Sequence, residues 1–146
     1  MNTLGKIKNS IFIDDYAHHP TEIQKLIEVC KLFKKKDFFL IIEPHRFSRL
    51  NDLYSDYIRI LKNTKNLIIL KTYSAGENFE KKMKNSKNLV NDLNVLSHNK
   101  VSYIDTYEEL FELLDNLIAK KNNKIIVTAG AGSISAQMRF FYETRR

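Results

Sequence analysis

Apolar residues form short continuous runs at regular intervals along the chain. Runs of three to five, rich in Ile, Leu, Val and Phe, are typical of strands that a parallel sheet buries on both faces. Strands are therefore predicted over residues 11–14, 38–42, 67–70, 101–104 and 124–127. A short edge strand over residues 4–8 is also predicted within the otherwise polar N-terminal segment.

Between these runs, apolar residues recur every three or four positions, which predicts amphipathic helices. Pro20 begins the first helix, whose apolar stripe is Ile23, Leu26, Ile27, Cys30 and Phe33. A second single helix has the stripe Leu50, Leu53, Tyr54, Tyr57, Ile58 and Leu61. A short third helix has Leu89, Val90 and Leu93, a fourth is capped by Asp105 or Thr106, and a last one has Ile134, Met138 and Phe141.

Strands that alternate with helices predict an α/β fold, a Rossmann-like, mostly parallel sheet of five to six strands with helices on both faces. The 146 residues contain no Pro/Gly/Ser-rich linker and no repeat, so residues 1–146 are predicted to form a single domain. Ligands bind such sheets outside the carboxyl ends of the strands.

Unusual residues concentrate at the predicted carboxyl ends of the strands. Both prolines, three of the four glycines and three of the four histidines lie there. They are Pro20, Pro44, Gly76, Gly130, Gly132, His18, His19 and His45. A shared rim of titratable and backbone-shaping residues predicts a ligand site.

Composition indicates the cellular location of the protein and the class of partner that it binds. The single cysteine allows no internal disulfide, and no apolar run approaches the ~18 residues of a membrane span, so a cytoplasmic protein without membrane contact is expected. The net charge of +7 leaves a basic nucleotide- or nucleic-acid-binding module as an alternative. Nucleic acid is the less favoured partner because the excess charge lies in scattered lysine runs at residues 34–36, 81–82 and 120–121.

Asp14, Asp15, His18 and His19 form the first candidate cluster. They could be an elaborate helix cap, with His19 at the capping position. They could also bind a ligand, with a carboxylate accepting from a hydroxyl and a histidine facing an amine. A metal site that includes His45 is a third interpretation, although the spacing matches no strong metal motif.

Arg46 and Arg49 form a second cluster. They lie three residues apart at a predicted helix start, so two guanidinium groups could bind one carboxylate or phosphate, or could simply be solvated. The turn from Gly130 to Ser133 could hold an anion on backbone amides, or could need glycine for its geometry alone. Residues 73–77 are equally ambiguous.

Four motifs together resemble the C-terminal domain of the Mur ligases. They are residues 14–22 (DDYAHHPTE), 43–49 (EPHRFSR), 73–77 (YSAGE) and 130–134 (GAGSI). The resemblance runs over residues 11–134 and is greatest to the members that join L-alanine to UDP-N-acetylmuramate. It therefore implies part of an ATP-dependent ligase of peptidoglycan biosynthesis.

In that family the muramate carboxylate is phosphorylated, and the amine of the amino acid attacks the acyl phosphate. The resemblance implies that this chain delivers the amino acid and closes over the nucleotide. It implies that Asp15 contacts the ATP ribose and that L-alanine is bound by His18, Arg46 and Arg49. Tyr16 would lie beside the small alanine side chain, with His45 nearby.

The 146 residues do not include counterparts of the family's N-terminal UDP-binding and central ATP-binding domains. No glycine-rich loop followed by Lys-Ser or Lys-Thr occurs in them. The main ATP and magnesium sites are therefore expected in the central domain, and no metal site is expected here. The chain is predicted to be inactive alone and to work with the remaining domains of the ligase.

Overall fold

A computed structural model describes residues 1–33 and 37–146 of the chain. The strands are β1 (Asn2–Ile7), β2 (Ser10–Asp15), β3 (Asp37–Ile42), β4 (Leu67–Leu70), β5 (Ser102–Ile104) and β6 (Lys124–Ala129). The helices of the described part are α1 (Pro20–Cys30), α2 (Phe47–Asp52), α3 (Tyr54–Leu61), α4 (Ser86–Leu96), α5 (Tyr107–Ala119) and α6 (Ile134–Arg145).

The strands form one six-stranded sheet in the order β1-β2-β6-β3-β4-β5. Five strands are parallel, and β1 adds an antiparallel edge next to β2. The predicted mostly parallel α/β sheet, with its edge strand near the N-terminus, is therefore confirmed. The last strand in the sequence, β6, pairs on both sides and lies between β2 and β3.

Alternate residues of each strand pack against different helices, and they form two separate cores. Ile13, Leu40 and Val127 pack with α1, α3 and α4 on one face. Phe12 and Ile41 pack with α5 and α6 on the other face. Helices therefore cover both faces, as predicted, and the continuous apolar runs follow from burial on both sides.

Two helical predictions need correction. The stripe from Leu50 to Leu61 was expected to be one helix, but it divides into α2 and α3 at Leu53, whose backbone has φ −107° and ψ 17°. Phe33 was expected on the buried stripe of the first helix, but α1 ends at Cys30 and Phe33 is 38% exposed. The lysine run 34–36 lies outside the described residues.

The carboxyl ends of three central strands are held together by backbone hydrogen bonds. The amide of Gly130 donates to the carbonyl of Asp15 (3.1 Å), and the amide of Glu43 donates to the carbonyl of Ala129 (2.9 Å). From these strand ends, α1 and α2 leave toward one face and α6 leaves toward the other. Such a divergence opens a crevice where α/β sheets bind ligands.

Within residues 1–33 and 37–146, every helix is too short or too polar to cross a membrane.

Candidate functional site

The two adjacent carboxylates at the end of β2 have different environments. Asp15 Oδ1 accepts a hydrogen bond from the Ala17 amide (2.8 Å), and Oδ2 lies 2.7 Å from the terminal ammonium of Met1. Asp14 is 6% exposed and accepts hydrogen bonds from the hydroxyls of Thr128 and Ser135. Asp15 therefore belongs to the rim, whereas Asp14 joins β2 to β6 and α6.

The two adjacent histidines also have different roles. His19 is the N-cap of α1: its Nδ1 accepts from the Thr21 amide (3.3 Å), and the Glu22 carboxylate accepts from the amides of His18 and His19 (3.1 Å each). These amide hydrogen bonds lower the pKa of Glu22. The cap interpretation thus holds for His19, while His18 remains available to a ligand.

The hydrogen bond of His18 indicates its tautomer. Its Nδ1 lies 2.9 Å from the carbonyl oxygen of Tyr16. Because a carbonyl can only accept, Nδ1 carries the proton of the neutral ring and Nε2 is left as an acceptor. An acceptor nitrogen at this rim is suited to a ligand amine or ammonium group.

Aromatic and imidazole rings form a row across three loops. The ring centroids of Tyr16 and His18 are 5.2 Å apart, and those of His18 and His45 are 5.9 Å apart. His45 in turn stacks on Tyr73 with a centroid distance of 5.4 Å and an interplanar angle of 22°. The row connects the loops that follow β2, β3 and β4.

The two arginines extend this row. Arg46 is the N-cap of α2, and Arg49 lies within its first turn, where Nη1 is 3.5 Å from His45 Nδ1. Burial lowers the pKa of His45, and the charges of Arg49 and Arg46 lower it further, as does His18 whenever its ring is protonated, against a smaller opposing effect of Glu77. His45 is therefore held in its neutral form, which can accept from Arg49.

The two arginines carry positive charges that the described residues do not pair. Within the residues that the structure describes, neither Arg46 nor Arg49 forms an ion pair. Two guanidinium groups near an acceptor nitrogen are suited to a ligand that carries both a carboxylate and an amine.

The glycine turn before α6 is filled by the chain's own side chains. Glu43 Oε1 accepts from the Ile134 amide (3.3 Å), so a carboxylate already occupies the start of α6. A Cβ at Gly132 would lie 2.6 Å from Tyr73 Cγ, and one at Gly130 would lie 3.1 Å from the Cβ of Glu43. This favours close packing over anion binding as the reason for both glycines.

The contacts of two residues at the rim, Glu43 and Glu77, are visible only in the structure. Glu43, 4% exposed, also accepts from the Tyr107 hydroxyl, and burial raises the pKa of its carboxyl group. Glu77 contacts Ser48 at the start of α2. The sequence signals are that both residues follow the carboxyl end of a predicted strand and lie in the motifs 43–49 and 73–77, and neither signal indicates their partners.

Clefts flank the row on both sides. One, of about 360 Å³, is lined by Asp15, Tyr16 and one side of α1 from Glu22 to Val29. The other, of about 370 Å³, lies between Tyr73 and Tyr107. No group of three His, Cys, Asp or Glu side chains converges as a metal site in residues 1–33 and 37–146.

Contacts bring four of the six predicted site residues together: Tyr16, His18, His45 and Arg49. Arg46 adjoins them, because its charge acts on His45. Asp15 begins the same loop as Tyr16 and His18, but its carboxylate contacts Met1 and Ala17. The roles of all six as ligand contacts stay predictions.

The Mur ligase, glutamate ligase domain, is the family whose model matches residues 1–132. The UDP-N-acetylmuramate–L-alanine ligase of Wigglesworthia glossinidia brevipalpis is 38% identical over 136 residues, which are 92% of this chain and 28% of that relative. The ligase of the same name from Buchnera aphidicola subsp. Acyrthosiphon pisum (strain Tuc7) is 35% identical over 130 residues, 88% of this chain and 26% of the relative. The chain thus spans little more than a quarter of these relatives.

A solved structure has the same fold. It is a domain assigned to a UDP-N-acetylmuramate:L-alanyl-gamma-D-glutamyl-medo-diaminopimelate ligase of Haemophilus ducreyi 35000HP. The TM-score is 0.62 at 16% identity, and the match covers 99% of this chain and 98% of the other. At this identity the likeness supports the architecture alone.

Proposed function

This chain belongs to the family of Mur ligase glutamate ligase domains, and from that premise we propose that it binds the amino acid in an ATP-dependent ligase. The ligase would join L-alanine to UDP-N-acetylmuramate in peptidoglycan biosynthesis. Support for L-alanine comes from the names of the relatives at 35% and 38% identity. Residues 1–146 would form one domain of that cytoplasmic enzyme, with the UDP-binding and ATP-binding domains outside it.

The observation that carries this proposal is the contact of Arg49 with His45 in the row that also contains Tyr16 and His18. Arg46 and Arg49 would bind the alanine carboxylate, since a guanidinium offers paired donors to two oxygens. His18 Nε2 would accept from the amine, and Tyr16 would limit the space for the side chain. Neutral His45 would orient Arg49 without adding a third positive charge.

Asp15 is proposed to contact the ribose of ATP. Its Oδ2, which lies 2.7 Å from the Met1 ammonium, could accept from a ribose hydroxyl. In the complete ligase ATP and Mg²⁺ supply the phosphoryl chemistry that activates the muramate carboxylate. The residues of this chain would bind and orient alanine and close over the nucleotide, so the chain alone would not ligate.

The test is Arg46→Ala in the complete ligase, or with the two remaining domains supplied as a separate polypeptide. A lost charged contact costs about 2–4 kcal/mol, so the KM for L-alanine should rise roughly 30-fold or more. The KM values for ATP and the UDP-linked substrate should stay near wild type, because Arg46 contacts neither in this proposal.

The matched control is Arg59→Ala, which removes an exposed guanidinium on α3 that pairs with Asp56 at 3.2 Å. That variant should keep the wild-type dependence on L-alanine. An unchanged alanine dependence in Arg46→Ala would remove Arg46 from the binding site and contradict the proposal.

A further inference from the structure

The loop after β4 contains a tight turn that points back toward α2. The Glu77 amide donates to the Ser74 carbonyl (3.0 Å), which closes the turn. Its two central residues, Ala75 and Gly76, have φ values of 51° and 84°. Two consecutive left-handed residues are characteristic of a type I′ turn, which reverses the chain sharply.

This reversal places Glu77 at the first turn of α2. Its Oε2 accepts from the Ser48 amide (3.0 Å), and its Oε1 accepts from the Ser48 hydroxyl. The N-cap residue Arg46 makes no capping hydrogen bond with its side chain, which carries only donors. The start of α2 is therefore capped by a carboxylate 29 residues further along the chain.

The same loop also holds the backbone just before α2. The Arg46 amide donates to the Tyr73 carbonyl (2.7 Å), and the Tyr73 amide donates to the Pro44 carbonyl (2.8 Å). Arg46 itself has φ 70° and ψ 133°, a conformation that side-chain-bearing residues rarely adopt. Such a conformation persists only where surrounding contacts fix it.

The negative charge of Glu77 also favours its position at the start of α2. The two hydrogen bonds from Ser48 are the main reason that the pKa of Glu77 is lowered, and the charge of Arg46 adds to the effect. Glu77 therefore stays ionised at neutral pH, beside Arg46 and at the positive end of α2. One carboxylate thus contacts the helix start that carries both arginines.

We propose that Glu77 is a positioning residue that fixes Arg46 and Arg49 for the carboxylate of the amino-acid substrate. The inference rests on the proposed function, in which those arginines bind that carboxylate. Glu77 would not contact the substrate, because both of its oxygens are engaged by Ser48.

The test is Glu77→Gln in the complete ligase, which keeps the side-chain shape and removes the charge. We expect the KM for L-alanine to rise by roughly tenfold, since small misplacements of binding groups are costly. The KM values for ATP and the UDP-linked substrate, and kcat at saturating alanine, should change by less than about twofold, because Glu77 positions only the arginines that bind alanine.

A matched control lies in the same loop. Glu80→Gln removes an exposed carboxylate that pairs with Lys82 at 3.3 Å on the surface. It should leave all three KM values unchanged. Ser48→Ala is a second variant, and it should raise the KM for alanine without adding fully to Glu77→Gln, because the two side chains share one interaction.

The outcomes separate the two proposals. A Glu77→Gln enzyme that matches Glu80→Gln, or one in which all three KM values rise together, overturns the positioning role. If Arg46→Ala raises the KM for alanine and Glu77→Gln does not, only this inference fails. If neither variant alters the alanine dependence, the proposed function fails as well.

Discussion

At the scale of single residues, Arg46 combines a charged side chain with a backbone conformation suited to glycine. A side chain at φ 70° and ψ 133° costs on the order of 1–3 kcal/mol. The amide hydrogen bond to Tyr73 and the Glu77 carboxylate at the next turn offset part of that cost. Stability alone would favour glycine here, so the side chain itself is the reason for arginine.

This gives a prediction about stability. Arg46→Gly and Arg46→Ala both remove the guanidinium, but only glycine adopts φ 70° without strain. After allowance for the greater freedom of glycine in the unfolded chain, the free energy of unfolding of Arg46→Gly should be about 1 kcal/mol higher than that of Arg46→Ala. Urea unfolding of the 146-residue chain measures the difference, and equal midpoints would show that the backbone relaxes in the alanine variant.

Which members of a polar cluster lie at the rim and which are buried could be predicted only in part from the sequence. The pattern placed Asp14, Asp15, His18 and His19 at one rim, but both faces of β2 are buried, so no in–out alternation indicates the direction of each carboxylate. The structure assigns Asp14 to Thr128 and Ser135, residues more than a hundred positions away. That partnership has no local signal.

At the scale of elements, the apolar stripes predicted the helices but not the break between α2 and α3. The hydrogen bonds from Leu53 to Arg49 and from Tyr57 to Leu53 continue across the break, so the helical period is kept. Leu50, Tyr57 and Leu61 are all buried, as the stripe predicts. Neither glycine nor proline is present to indicate the change in direction.

Three elements meet at a second polar contact that the sequence did not reveal. Glu43 follows β3 and accepts hydrogen bonds from Tyr107 of α5 and from Ile134 at the start of α6. Burial raises the pKa of the Glu43 carboxyl, so the partners that satisfy it matter for stability.

Tyr107→Phe tests this contact. The variant leaves a buried carboxyl group with one partner fewer, and the free energy of unfolding should fall by about 1–3 kcal/mol. Tyr103→Phe is the control, because its hydroxyl bonds the exposed Asp105 (2.8 Å) and should matter little. Equal unfolding midpoints for the two variants, measured in denaturant, would mean that water or a neighbour replaces the Tyr107 hydroxyl.

At the scale of the whole molecule, alternation of strands and helices was enough to predict the sheet and the edge at which its polar loops meet. The strand order was not predictable in the same way, because the position of β6 between β2 and β3 depends on pairings across the length of the chain. The site follows from that order, since it places Asp15, Gly130 and Glu43 side by side.

The pH dependence of stability should reflect His45. Its pKa is lowered below the usual 6.5, so the unfolded chain binds this proton more readily than the native one. The free energy of unfolding should therefore fall as the pH drops from about 6.5 through the native pKa. The pKa values of Glu22 and Glu77 are lowered from 4.5, so their protonation reduces the free energy of unfolding only at more acidic pH.

Chemical unfolding at a series of pH values measures this slope, and His45→Gln is the comparison. The pKa of Glu43 is raised, so its protonation stabilises the native chain as the pH falls. This contribution is present in both proteins. The two stability curves should run parallel above pH 6.5, and the advantage of the wild-type chain should shrink as the pH falls from 6.5 through the native pKa of His45. Curves that stay parallel below pH 6.5 would show that His45 protonates equally well in the native and unfolded chains.

The place of β6 also has a consequence for biosynthesis. The strand at the middle of the sheet is the last one to leave the ribosome, because it comprises Lys124–Ala129 of 146 residues. Until it emerges, β2 and β3 each expose an unpaired edge, a state in which nascent chains tend to aggregate. Because β6 lies between β2 and β3, the loops of Tyr16 and His45 can reach their final positions only after β6 has paired with both strands.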